Sequence, residues 1–178
     1  MALAATIYNF DIDLSDTDRG VYETLALRVA RHPSESEEYL VTRLLAYLLE
    51  YEEGIDFSRG VSDPDEPAIA IRDLTGRITT WIDIGTPDAA RLHKAAKSGA
   101  RVVVYTHKNP EQFLKQLAGE KIHRAAELEL YAMDRGLVGA LAARLERRVA
   151  FSLSIAEREL FLSIGADTLT GVVSRLTV

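Results

Sequence analysis

The chain has 178 residues, 47% of them hydrophobic, and a net charge of −6, which is enough apolar material for a full core and short enough for one domain, residues 1–178. It contains no cysteine, which excludes disulfides, thiolate metal centres and a cysteine nucleophile and points to a reducing, cytoplasmic setting. Its apolar runs are too short to cross a bilayer and its first residues lack the pattern of a signal peptide, so no membrane is expected as a partner.

Residues 6–14 alternate apolar and polar from Tyr8 onward, the period of a half-buried strand, expected at one edge of a sheet. Asp16 and Asp18 are read as the start of a helix over 16–30, with Val21, Leu25, Leu27 and Val29 as its apolar positions and Pro33 as its stop. A second helix opens with Ser34 and Glu37 as a capping box, and Leu40, Leu44, Leu48 and Tyr51 follow at helical spacing until Gly54 closes it. Gly60 to Pro67 has loop chemistry, after which 68–72 and 77–84 read as two strands of a hairpin turning around Leu74 and Thr75. Thr86, Pro87 and Asp88 supply the N-cap, first-turn proline and first-turn acid of a helix running to about Ser98, with a stop at Gly99.

Arg101 to Thr106 carries the unbroken apolar run Val102-Val103-Val104-Tyr105 of a central strand. Asn109-Pro110 opens a further helix, 128–132 reads as a strand and 135–147 as a helix. Segments 149–155, 159–164 and 168–173, separated by turns, predict an antiparallel meander added to the main sheet. The class is α/β, a mixed sheet flanked by helices.

The chemistry is concentrated in the hairpin. If it turns around Leu74 and Thr75, facing residues have numbers summing to about 149, and Asp83 falls opposite Glu66, or Asp65 after a slip of one. Two carboxylates so close repel unless a cation lies between them, which makes Asp65, Glu66 and Asp83 candidate ligands of a divalent metal. Lys94, about two turns into the next helix, can reach the space left open by Gly85, and Lys97 is its competitor. The alternative for Asp83 is a salt bridge to Lys94 or Arg91, since a lone buried carboxylate is costly. His32, His93, His107 and His123 have no paired spacing, so magnesium or manganese is favoured over zinc. No nucleophile elbow, phosphate-cradling glycine loop or dinucleotide fingerprint is present. Trp81 shares the face of Asp83 and is read as core.

Charge is unevenly spread. Residues 1–90 hold 7 basic and 18 acidic side chains, whereas 91–124 hold 8 and 2. The basic segment, with Arg91, Lys97, Arg101 and Lys108, is a candidate surface for nucleic-acid phosphates.

Arg31-His32-Pro33-Ser34-Glu35, Glu38, Arg43-Leu44-Leu45-Ala46, Arg59-Gly60, Asp65-Glu66-Pro67, Trp81-Ile82-Asp83, Gly85, Pro87-Asp88, Arg91 and Lys94-Ala95 together resemble the YaeQ proteins, over most of the chain. That family is regarded as a variant of the PD-(D/E)XK nuclease fold. The resemblance implies a restriction-endonuclease-like core in the order α-β-β-β-α-β, here with additional C-terminal antiparallel strands. It implies that Asp65 or Glu66 is the first metal carboxylate and Asp83 the second. Lys94 is then a lysine moved from strand to helix, because Gly85 holds the usual lysine position, and Glu38 is an acid from an earlier helix, with Glu35 as the alternative. The activity implied is a Mg2+- or Mn2+-dependent phosphodiesterase or nuclease, in which metal activates water and Lys94 neutralises charge. The other reading is a catalytically degenerate nuclease fold that binds or regulates without metal, Asp83 and Lys94 forming a structural ion pair.

Overall fold

The segment expected as the first helix folds instead as a strand. In the computed structural model, which describes residues 4–58 and 65–178, β1 (Thr6–Asp16) and β2 (Val21–Arg31) form an antiparallel hairpin with Asp16 facing Val21. Val21, Leu25, Leu27 and Val29 are all odd-numbered, so they satisfy the period of a strand as well as they satisfied a helix. The acids read as helix starters serve turns: Asp16 accepts hydrogen bonds from Arg19 N and Nε at 3.2 and 2.8 Å. Residues 60–64 of the loop expected over 60–67, and the Arg59-Gly60 pair of the family pattern, lie outside the described residues.

The chain divides into two compact units, residues 1–41 with 133–174 and residues 42–132 with 175–178. The first is built on a five-stranded mixed sheet in the order β10-β9-β8-β1-β2. Its later strands are β8 (Arg148–Ala156), β9 (Glu159–Ile164) and β10 (Asp167–Val172). They were expected as an extension of the main sheet, yet they join the N-terminal hairpin, because β8 pairs in parallel with β1 from Asn9↔Arg148 to Asp16↔Ile155. β1 is therefore an interior strand, not an edge. Tyr8, Phe10, Ile12 and Leu14 of β1 and Val149, Phe151, Leu153 and Ile155 of β8 are buried on one face, each fully buried large side chain worth about 1.5–3 kcal/mol. Helix α4 (Arg135–Ala142) is capped by Asp134, which accepts from Leu137 N at 3.1 Å, and it ends well before the expected residue 147. It lies so close to β10 that a Cβ at Gly171 would come within 2.8–2.9 Å of Asp134 and Leu137, so only glycine fits there.

The second unit opens within α1 (Glu37–Leu49). Ser36 caps α1, its hydroxyl accepting from Tyr39 N at 3.0 Å. The capping box at Ser34 is thus displaced by two residues, because Ser34 is engaged locally, its N–H donating to His32 Nδ1 at 3.1 Å. A six-stranded mixed sheet follows in the order β11-β7-β6-β5-β4-β3. Its strands are β3 (Ile55–Phe57), β4 (Ile69–Arg72), β5 (Ile78–Ile84), β6 (Arg101–Thr106), β7 (Glu129–Ala132) and β11 (Ser174–Leu176). β3, β4 and β5 form an antiparallel meander, and β5, β6 and β7 run parallel. β6 is the central strand that its apolar run predicts. Helices α2 (Ala89–Lys97) and α3 (Pro110–Leu117) cover one face over a core of Trp81, Leu92, Ala95, Val102, Val104 and Phe113. No helix among the described residues is long and apolar enough to cross a membrane.

Candidate functional site

Asp83 is the most unusual polar residue of the second unit. Alternation along β5 puts Trp81 and Asp83 on the face of Val102 and Val104, their direct partners on β6, which is the face that α2 and α3 cover. The residue is 3% exposed, so its charge requires a partner. Arg91 supplies it. Its fork donates from Nε to Oδ2 at 2.8 Å and from Nη2 to Oδ1 at 3.0 Å. Arg91 is held in position because Asp88, the N-cap of α2, accepts from its backbone N–H at 2.8 Å; Thr86, expected as the cap, lies two residues earlier. Nη2 also donates to the Glu66 carbonyl at 2.6 Å, and Cζ lies 5.4 Å from the centroid of the Trp81 ring. One guanidinium thereby ties helix, strand and preceding loop together, through charge-assisted bonds and a cation–π contact.

The hairpin register explains why Asp83 meets an arginine and not the acids before β4. Observed pairs are Ile69↔Ile82, Ala70↔Trp81 and Ile71↔Thr80, with a register shift between Ile71 and Arg72. Extending this ladder puts position 68, not Glu66, opposite Asp83, which overturns the expected pairing. Two local features cause the offset. Asp73 Oδ1 accepts from Thr75 N, Thr75 Oγ1 and Arg77 N, and Gly76 takes φ 86°, so the turn is centred on Thr75. The bulge then adds one residue to β5.

Lys94, one turn beyond Arg91 on α2, donates to Asp65 Oδ1. The two side chains are 62% and 69% exposed, a surface pair worth about 0–1 kcal/mol. Glu66 is half-buried and borders a hollow of about 200 Å³ with Asp56, Phe57 and Arg72. Glu38 is exposed in the first turn of α1. Glu35, its alternative, precedes the helix; it is buried, and its Oε1 accepts from His32 N at 3.0 Å. Lys97 and Lys108 are exposed. Among the described residues no group of three or more His, Cys, Asp or Glu side chains converges as a metal cage.

Sequence reasoning missed a second polar centre on the opposite face of the same sheet. Arg101 donates to Glu50 Oε2 at 2.9 Å and to both oxygens of Glu129, through Nη2 to Oε1 at 2.8 Å and through Nε to Oε2. The buried Tyr105 hydroxyl donates to Glu50 Oε1 at 2.7 Å, and Tyr131 donates to Glu129 Oε1 at 3.1 Å. Burial, then the Glu50 charge, pushes the Tyr105 hydroxyl pKa well up, while the Arg101 hydrogen bond holds Glu129 below the usual carboxylate range. The signal was present in the alternation, since Arg101 and Tyr105 share a face of β6 and Glu129 and Tyr131 share one of β7. Arg91 and Arg101, two of the four cations proposed to face phosphate, are thus committed to carboxylates.

The family described as YaeQ protein matches residues 1–172. The chain is 33% identical over 164 residues to the uncharacterized protein YaeQ of Escherichia coli strain K12, covering 92% of this chain and 91% of that one. It is 32% identical over 170 residues to the protein of the same name from Salmonella typhi, covering 95% and 94%. The crystal structure of YaeQ protein from Xanthomonas axonopodis pv. citri superposes with a TM-score of 0.87 at 32% identity, covering 97% of this chain and 98% of that one. That of YaeQ protein from Pseudomonas syringae superposes with a TM-score of 0.87 at 31% identity, covering 98% and 97%. With the motifs, the fold and these relatives in agreement along nearly its whole length, the chain belongs to the YaeQ family.

Proposed function

We propose that the second unit is a nuclease-like α/β module that works without metal, as a binding module whose acidic centre has become a structural clamp. The observation that carries this reading is the occupation of both Asp83 oxygens by the Arg91 fork. A divalent cation needs those same oxygens and would have to stand against a guanidinium. The nuclease-like part is supported by the order α1-β3-β4-β5-α2-β6, which follows the α-β-β-β-α-β order of the restriction-endonuclease core, with β5 parallel to β6. The test is calorimetric titration of Mg2+ and Mn2+ into the wild type and Asp83→Asn, with hydrolysis assays on single- and double-stranded DNA and RNA. No saturable heat and no turnover are expected.

A second reading, a Mg2+- or Mn2+-dependent phosphodiesterase acting on nucleic acid, is favoured by one observation. Asp65, the Glu66 carbonyl and Asp83 are all engaged by two cations of one helix, Arg91 and Lys94. In that reading Asp65, Glu66 and Asp83 would hold the metal once Arg91 moves aside, the metal would supply an activated water, and Lys94 would neutralise charge on the phosphate. Saturable Mn2+ binding that Asp83→Asn abolishes, accompanied by turnover, selects it. Exposed Lys97 and Lys108 then face the phosphates, and binding weakens steeply with salt.

A further inference from the structure

The outer side of β2 carries backbone groups for which the described residues offer no partner. Asn9 donates its N–H to Arg147 O at 2.9 Å, so odd-numbered residues of β1 turn their N–H and C=O groups toward β8 and even-numbered ones toward β2. The register then assigns the ladder bonds of β2 to its odd-numbered residues: Tyr8↔Val29, Phe10↔Leu27, Ile12↔Leu25 and Leu14↔Glu23. The backbone groups of Tyr22, Thr24, Ala26 and Arg28 point out of the sheet, in which β2 is the last strand on this side among the described residues. This edge is eleven residues long, has no proline and pairs with β1 without a register break. Edges of that kind are templates for another strand.

We infer that β2 pairs antiparallel with β2 of a second copy of this chain, across a twofold axis at Ala26. Ala26 is the midpoint of Val21–Arg31, so this register pairs the central stretch 24–28 of the strand, and a small side chain lies at the axis. Thr24 then faces the partner's Arg28, and Leu25 faces the partner's Leu27. The charges complement one another. Thr24 Oγ1 donates to Asp13 Oδ1 at 3.0 Å, so the partner's Arg28 lies beside that carboxylate. Glu23, a charge that discourages pairing on most edges, lies diagonal to the partner's Arg31. Leu25 and Leu27, only half-buried in one chain, cover each other. The pairs Ala26 with itself and Thr24 with Arg28, counted from both sides, each exchange two hydrogen bonds, ~6 in all.

Sedimentation of the full chain is expected to give twice the 19.7 kDa chain mass, and Arg28→Glu, which sets a carboxylate against Asp13, to return the single mass. Because the chain has no cysteine, Ala26→Cys introduces one thiol whose Cα lies about 5.5 Å from its copy in a hydrogen-bonded pair, within the range a disulfide spans. At Thr24 the two copies are about 13 Å apart along the strand, so Thr24→Cys is the control. Mild oxidation should link Ala26→Cys chains into dimers and leave Thr24→Cys chains single. A single-chain mass at about 100 μM, equal cross-linking at both positions, or a dimer indifferent to Arg28→Glu overturns the inference; the first of these leaves the edge to a different strand.

Discussion

Arg91 is the side chain on which the acidic centre depends, since it satisfies a buried carboxylate, a loop carbonyl and an aromatic face together. Removing one partner of a buried pair leaves the other charge desolvated and alone, which costs about 3–5 kcal/mol. Arg91 is 26% exposed at its side chain, so Arg91→Met should fall near the lower end. Arg91→Lys should recover little, because an ammonium cannot engage both oxygens in a plane. Urea unfolding followed by the fluorescence of Trp81, the single tryptophan of the chain, measures both. A loss below about 1 kcal/mol in Arg91→Met would show that the pair anchors nothing. Lys94→Ala, by contrast, should cost less than about 1 kcal/mol, since its bond to Asp65 is solvent-exposed.

At the scale of elements, the turns hold the testable detail. The β8–β9 hairpin turns through Glu157 and Arg158, both at positive φ, 52° and 62°. Their N–H groups donate to the Asp18 carboxylate at 2.7 and 3.0 Å. Arg158→Gly relieves about 1–2 kcal/mol of left-handed strain but adds about 0.4–1 kcal/mol of unfolded-state entropy, so it should raise the unfolding free energy by about 1 kcal/mol, and Glu157→Asn, which tolerates the same conformation, should raise it by less; unchanged or lower stability would mean that Asp18 already removes the strain. Asp73 is held below the ordinary carboxylate range by the Thr75 hydroxyl and the backbone N–H groups of its turn. A depressed folded-state pKa means its contribution is present above the unfolded value, about 3.9, and is lost as pH falls through the folded one. Asp73→Asn should therefore flatten the acid limb of the stability profile. The hairpin itself was legible in Asp73 and Gly76, and α2 in Asp88 and Gly99. The register was not, because a bulge of one residue leaves no mark on polarity, and β2 was misread because odd-numbered apolar positions fit either period.

Over the whole chain, the family pattern runs nearly end to end, but the division into two sheets was hidden. β8 to β10 read as strands, and nothing in their composition says that β8 pairs with β1 across more than a hundred residues. Polar centres were legible only in part: Asp83 was singled out and Arg91 weighed as its partner, while Glu50, Arg101 and Glu129 went unpaired in the reading because parallel pairing is non-local. Arg101 keeps Glu129 below its usual range, so stability from this centre is present above the unfolded glutamate value of about 4.3 and lost as pH falls through the folded one. Arg101→Met should accordingly cost more at pH 7 than at about pH 3, a difference that urea unfolding at the two values reads. The central claim, that Arg91 and not a metal holds Asp83, is tested most directly by the side-chain NMR signal of the Arg91 Nε–H during titration with paramagnetic Mn2+. The signal is expected to survive excess Mn2+ unshifted; bleaching at stoichiometric Mn2+, absent in Asp83→Asn, would contradict it.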